Sequence, residues 1–199
     1  RCPLHSTGPA SSTPAPTTEA PRMTTHTRLL LAESAHATLT AAAARAHPCE
    51  TGGILIGVLA DGHPWVTAAI EIPTTQRGRT HYRIPGGATH AAVARSRATD
   101  DRLGYLGDWH PPPADAGPSP TDLATLALIS VAHPRTPNPT QIIVRRTPTG
   151  YRLDARRVVH CTPRTCPIVL TGDLPPRPTD HHTPKPPPTP PDRSADDHQ

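Results

Sequence analysis

Phenylalanine is absent from this chain, and the other large fillers are scarce: two Trp, three Tyr and one Met in 199 residues. A core must therefore be assembled from aliphatic side chains and alanine. Lysine is almost missing too. Lys185 stands alone, and the other 19 of the 20 basic residues are arginines. Arginine in place of lysine, with abundant Ala, Pro and Thr, reads as the bias of a GC-rich genome, which lowers the value of counting charges. No run of 18 apolar residues occurs, which excludes a membrane-spanning helix. Residues 1–22 lack the apolar stretch of a secretory leader. The four cysteines are Cys2, Cys49, Cys161 and Cys166. A reduced, cytoplasmic protein is the expectation.

The net charge is +4 and the isoelectric point about 9.2. The arginines are scattered, aromatics are few and no basic stripe forms, so neither nucleic acid nor a membrane is expected as a partner. Cys161 and Cys166 form a C-x4-C pair beside His160, but no fourth ligand stands near, and they read as ordinary thiols. The H-E-x-x-H, P-loop and dinucleotide-binding fingerprints are absent. So are H-x-E and P-C-x-x-C, which excludes a zinc deaminase.

Proline is the residue in excess, 29 in all and gathered toward both ends. Because proline removes a backbone donor and fixes φ, the core is expected in the middle. Residues 1–27, rich in Pro, Ser and Thr, read as disordered, and Met23 within them is a candidate natural start. The folded domain is expected over residues 28–160. Residues 161–199 read as a Pro-rich disordered tail, in which Thr183 to Pro191 (TPKPPPTPP) suits a polyproline II helix.

Within the middle, Arg28–Leu31 reads as a short strand. Ser34 can cap a helix to about Ala46, where Leu39, Ala42, Ala43 and Ala46 follow the helical period and Pro48 ends it. Gly53–Leu59 and Trp65–Ile72 read as strands joined by a hairpin turn at Ala60-Asp61-Gly62. Residues 88–98 read as a helix and Leu103–Trp109 as a strand. Thr121–His133 reads as a helix capped by Ser119 or Thr121. Gln141–Arg145 and Tyr151–Ala155 pair around Thr149-Gly150. The mixture points to an α+β fold, a curved mixed β-sheet flanked by helices.

Two segments carry chemistry. In Pro48-Cys49-Glu50-Thr51-Gly52-Gly53-Ile54-Leu55-Ile56-Gly57, an acid stands between a helix end and a buried strand, and paired glycines permit close backbone approach. In Gly107-Asp108-Trp109-His110-Pro111-Pro112-Pro113, a histidine leaves a strand end. After a stiff loop, Ser119 and Asp122 fall at i and i+3, on one face of a helix's first turn. A histidine and an aspartate so placed can converge on one metal ion, or the latter pair can simply cap the helix.

Together these segments resemble the JAB/JAMM (MPN) metalloprotease family of prokaryotic type, over roughly residues 28–156. The family carries a glutamate before a Gly-Gly strand, then His-x-His-Pro, then Ser-x-x-Asp leading into a helix. The resemblance implies the JAB/MPN fold, whose architecture is related to that of cytidine deaminases. It implies Zn2+ held by His110 and Asp122, Glu50 as the base that takes a proton from metal-bound water, and Ser119 as donor to the developing oxyanion. It also implies a zinc metallopeptidase or isopeptidase acting on a ubiquitin-like, sulfur-carrier or other protein substrate. One position departs: Pro112 stands where the family has its second zinc histidine, and proline offers a metal no donor. Asp108 and Asp115 are conceivable substitutes, and His47 and His81 fall near the site in the family layout. The alternative expectation is therefore a catalytically impaired JAB-like pseudo-enzyme that binds a protein partner.

Overall fold

The computed structural model describes residues 28–79 and 81–175. The expectations for residues 1–27, and for the polyproline stretch in the tail, lie outside the described residues. In chain order the elements are β1 (Leu29–Ala32), α1 (Glu33–Ala46), β2 (Gly53–Ala60), β3 (His63–Glu71), α2 (Ala88–Thr99), β4 (Gly104–His110), α3 (Pro120–Ala132), β5 (Thr140–Thr147), β6 (Gly150–Val159), β7 (Thr162–Thr165) and β8 (Ile168–Thr171). The strands form one sheet in the order β7-β6-β5-β4-β2-β3-β1-β8. β1 runs parallel to β3 and β8, and β4 parallel to β5, while the remaining pairs are antiparallel. The fold is thus α+β with a mixed sheet, as the sequence suggests.

The aliphatic core exists where the pattern requires it. On one side of the sheet, α1 buries Ala35, Leu39, Ala42 and Ala43 against Leu29, Leu31, Leu55, Val66, Trp109, Ile142 and Val144. Most of these side chains are completely shielded, each worth roughly 1.5–3 kcal/mol of transfer free energy. A smaller cluster of Ile54, Ile56, Ile72 and Ala92 brings α2 onto the sheet. The β2–β3 hairpin turns at Asp61 and Gly62, whose φ values of 49° and 78° are those of a tight hairpin turn.

Strand β4 is irregular in a way that matters for the site. Its pairing with β2 steps from Leu55↔Gly107 to Ile56↔Tyr105, so Leu106 is an extra residue in the ladder. Gly107 has φ +150°, and a Cβ there would lie 1.6 Å from the Thr140 carbonyl oxygen, so only glycine fits. The bulge shifts the alternation. Leu106 and Trp109 both enter the α1 core, whereas Tyr105 joins the cluster beneath α2 and donates a hydrogen bond to Asp108.

Two details differ from the sequence reading. Ser34 does not cap α1: the N-cap is Ala32, without a side-chain cap, and Ser34 sits in the first turn with its Oγ donating to Asp173 Oδ1 at 2.5 Å. The apolar pattern continues straight from β1 into α1, so tertiary packing sets this boundary and no polar cap is needed. The sheet also extends past residue 160. Strands β7 and β8 lie there, and Cys166 is buried in the main core. Both strands are four residues long, with Pro163 inside β7 and Pro167 just before β8, a composition that reads as tail when the partner strands are not in view.

Candidate active site

Helix α1 stops at Ala46, and the chain turns through His47 and Pro48 into Glu50. The Glu50 amide donates to the Gly78 carbonyl at 2.8 Å, and Thr51 Oγ1 donates to Glu71 Oε1 at 2.6 Å. Tyr82 crosses the start of β2, its one hydroxyl hydrogen shared between the carbonyls of Ile72 (2.6 Å) and Gly52 (2.8 Å). A Cβ on Gly52 would lie 2.7 Å from both the Tyr82 ring and the Trp109 carbonyl oxygen. The glycine lets the loop between β3 and α2 close down on this strand, beside the end of β4. Glu50 is left half-buried. Burial raises its pKa above the ordinary carboxylate range, the charge of Asp122 raises it further, and His81 opposes them.

His110 ends β4, and Ser119 opens α3. The Ser119 Oγ accepts from the Asp122 amide at 3.1 Å, and Asp122 Oδ2 accepts from the Ser119 amide at 2.7 Å, a complete capping box with Pro120 behind it. The capping reading of this pair is therefore correct, and it does not exclude the other. Asp122 Oδ1 faces His110 Nε2 at 3.4 Å. Burial lowers the His110 pKa, with Asp122 opposing, which favours a neutral imidazole. Because Ser119 Oγ accepts in the box, its own hydroxyl hydrogen remains available to a further acceptor.

A separation of 3.4 Å has a chemical meaning. Two donors each about 2.0–2.1 Å from one tetrahedral zinc lie about 3.4 Å apart. His110 and Asp122 are thus at ligand spacing, but the set is short. Pro112 offers nothing. Asp108 accepts from Tyr105 at 2.9 Å, and its carboxyl is pushed up to about 6 by burial. Asp115 is held by Arg145 at 2.9 Å. Among the described residues no group of three His, Cys, Asp or Glu is placed to hold a metal. The residues present therefore do not make the three-ligand site that catalytic zinc requires.

His81 lies close enough to Glu50 to act on its carboxylate, whereas His47 is occupied elsewhere, its Nε2 2.8 Å from Arg146 Nη1. Sequence reasoning did not find Tyr82, which fastens the loop over β2, or the Arg145–Arg146 pair. Neither belongs to a recognisable motif. Only the alternation of β5, which sends neighbouring arginines to opposite faces of the sheet, hints at two roles. No helix of the described residues is long and apolar enough to cross a membrane.

The comparisons with known proteins bear on the family and the fold. The chain is 36% identical over 78 residues to a protein named CD-NTase/cGAS isopeptidase from Pseudomonas aeruginosa (strain BWHPSA011 / Pa011). That match covers 38% of this chain and 48% of the other protein, so the chain spans about half the length of the curated relative it matches. The fold is similar to the solution structure of protein DSY2949 from Desulfitobacterium hafniense, with a TM-score of 0.58 and 18% identity over 77% of this chain and 97% of that one. The family described as prokaryotic homologs of the JAB domain matches residues 32–158. That is well over half of the chain, and the protein belongs to the prokaryotic JAB-domain family.

Proposed function

We propose that this JAB domain engages a ubiquitin-like or sulfur-carrier protein at the cleft of Glu50, His110, Ser119 and Asp122, and that its hydrolysis of peptide or isopeptide bonds is impaired. The observation that carries this reading is the His110–Asp122 pair, at zinc-ligand spacing but beside a proline. The family and the relative named as an isopeptidase support hydrolase ancestry. Catalytic zinc needs three protein ligands and an open position for water, and among the described residues two, His110 and Asp122, stand at ligand spacing. On this reading the cleft survives as a binding site for a protein partner. Zinc titration of the metal-free protein, read by calorimetry, tests it. Weak binding that Asp122→Ala removes is expected. Nanomolar binding of one zinc, lost in Asp122→Ala, would show that another residue completes the set.

A second reading, a working zinc isopeptidase, is favoured by one observation. Burial and the Asp122 charge raise the Glu50 pKa, which makes it a better proton acceptor, and it has an imidazole, His81, in electrostatic reach. His81 sits on the loop between β3 and α2, so a shift of that loop toward His110 would supply a third donor. His81→Ala should then weaken zinc binding as much as Asp122→Ala does. On the first reading it should leave zinc binding unchanged.

A further inference from the structure

A cavity of about 380 Å³ is lined by His47, by Pro113 to Asp115 and by Arg146 to Pro148. Its walls are the two segments that carry the site. His47 precedes Glu50 by three residues, and Pro113 follows His110 by three. Its floor is the outer end of β5. There β5 pairs with β4 only as far as His110↔Ile143, but with β6 as far as Thr147↔Gly150. From Val144 to Thr147, the side of β5 that β4 has left pairs with no strand among the described residues. An extended chain laid along it would run toward His110 and the cleft.

The charges in the cavity are unequal. Asp115 is neutralised by Arg145, whose Nε and Nη2 both lie 2.9 Å from its Oδ1, and Arg145 also faces Asp154 at 3.9 Å. Arg146 points to the opposite side, as alternation along β5 requires. Among the described residues its hydrogen-bond partner is His47 Nε2, at 2.8 Å, and it forms no ion pair with a carboxylate. A guanidinium has donors only, so the imidazole must accept here. One guanidinium with four further N–H donors therefore faces an open cavity without a counter-charge.

We infer that this cavity is the specificity subsite of the cleft and takes an acidic side chain, Asp or Glu, of an extended partner segment, with Arg146 as its anion partner. The inference rests on the proposed peptide-binding function of the cleft and deepens it. The planar fork of Arg146 matches a carboxylate in two parallel hydrogen bonds, whereas an amide or a lysine could not use it in this way. The prolines at 113 and 148 stiffen both rims, so the subsite is formed before the partner arrives.

The test is binding of fluorescent peptide pools to the full chain in the presence of a chelator, so that neither zinc nor cleavage enters. Each pool is random except for one position fixed as Glu, Gln or Lys. Wild type is expected to prefer one Glu-fixed pool over its Gln counterpart by at least about fivefold. Arg146→Gln should erase the preference, and Arg146→Glu should turn it toward the Lys-fixed pool. Arg146 is exposed, and both variants should melt close to wild type. If Arg146→Glu fails to fold, Arg146→Gln alone decides. A wild type without preference, or a preference that survives in the variants, overturns the inference. A preference that follows Arg146 in a protein that engages no ubiquitin-like partner leaves the subsite standing and removes the functional reading instead.

Discussion

Asp122 Oδ2 accepts the backbone N–H of Ser119 at 2.7 Å, so the residue expected to bind a metal is also the one that starts α3. Its other oxygen faces His110. One carboxylate thus joins the helix start to the strand end, and substitutions at Asp122 have two separable consequences. Asp122→Ala should cost about 1 kcal/mol through loss of the capping box, or about 4 °C in melting temperature. Asp122→Asn keeps an oxygen for the Ser119 amide and should melt within about 1 °C of wild type. Both should abolish the weak zinc binding proposed for this pair. If Asp122→Asn is as unstable as Asp122→Ala, the charge rather than the cap holds the helix.

The core offers a prediction independent of function. Leu39 is the central apolar residue of α1 and is completely buried among Leu29, Leu31 and Val66. Without phenylalanine the chain has few large groups that could collapse into a void. Leu39→Ala should therefore cost about 2–5 kcal/mol, toward the upper part of that range. Urea denaturation would show it as a lower midpoint with little change in slope.

Much of the candidate site can be read in the sequence because its parts are local. Glu50 precedes the Gly52-Gly53 strand start, and Ser119 and Asp122 lie within one helical turn, so short patterns reveal them. What the sequence hides is set over long distances. The capping serine that propensity suggests at Ser34 is instead spent on Asp173, 139 residues away. Strand β7 carries a proline and no large apolar residue, β8 is only four residues long, and both lie on edges that β6 and β1 offer to them. The Leu106 bulge changes which residues of β4 face the core, and no local pattern marks it apart from Gly107. Arg146 acquires its setting only when α1 and the β5–β6 hairpin meet.

Asp108 gives stability a pH dependence. Burial raises its carboxyl from 3.8 to about 6, against the Tyr105 hydrogen bond and the His133 charge, which lower it. A raised folded pKa means that the native state binds the proton more tightly than the unfolded chain. The protonated form is therefore the stabilising one. Its contribution is full below about pH 4, declines as pH rises and is lost above about pH 6. Asp108→Asn keeps an acceptor for Tyr105 and carries no charge at any pH. It should be more stable than wild type at about pH 8, by up to roughly 3 kcal/mol, and equal to it near pH 4. Chemical denaturation of both proteins across this range checks the sign. A variant less stable than wild type at pH 8 would mean that the Asp108 carboxylate is favourably paired there.

Restoring the missing imidazole is the most direct test of the proposal that Pro112 weakens the site. Structural zinc binds with roughly 10–16 kcal/mol over four ligands, so each ligand contributes on the order of 3–4 kcal/mol. At about 1.4 kcal/mol per decade, one more ligand should strengthen binding by roughly a hundredfold or more. Pro112→His should therefore raise zinc affinity by at least that factor, and more than any other single change. With His110 and Asp122 it would leave a fourth position for water, the open arrangement of catalytic zinc. Adding Asp122→Ala to Pro112→His should remove most of the gain, because the new imidazole would then have only His110 beside it. Pro111 and Pro113 flank the position and stiffen the loop, and a misplacement near 1 Å can cost about a hundredfold in rate. Zinc affinity is accordingly the first readout, and cleavage of a ubiquitin-like fusion the second. A Pro112→His protein that binds zinc no better than wild type would show that the loop after His110 cannot present a ligand, and that the departure from the family extends beyond one side chain.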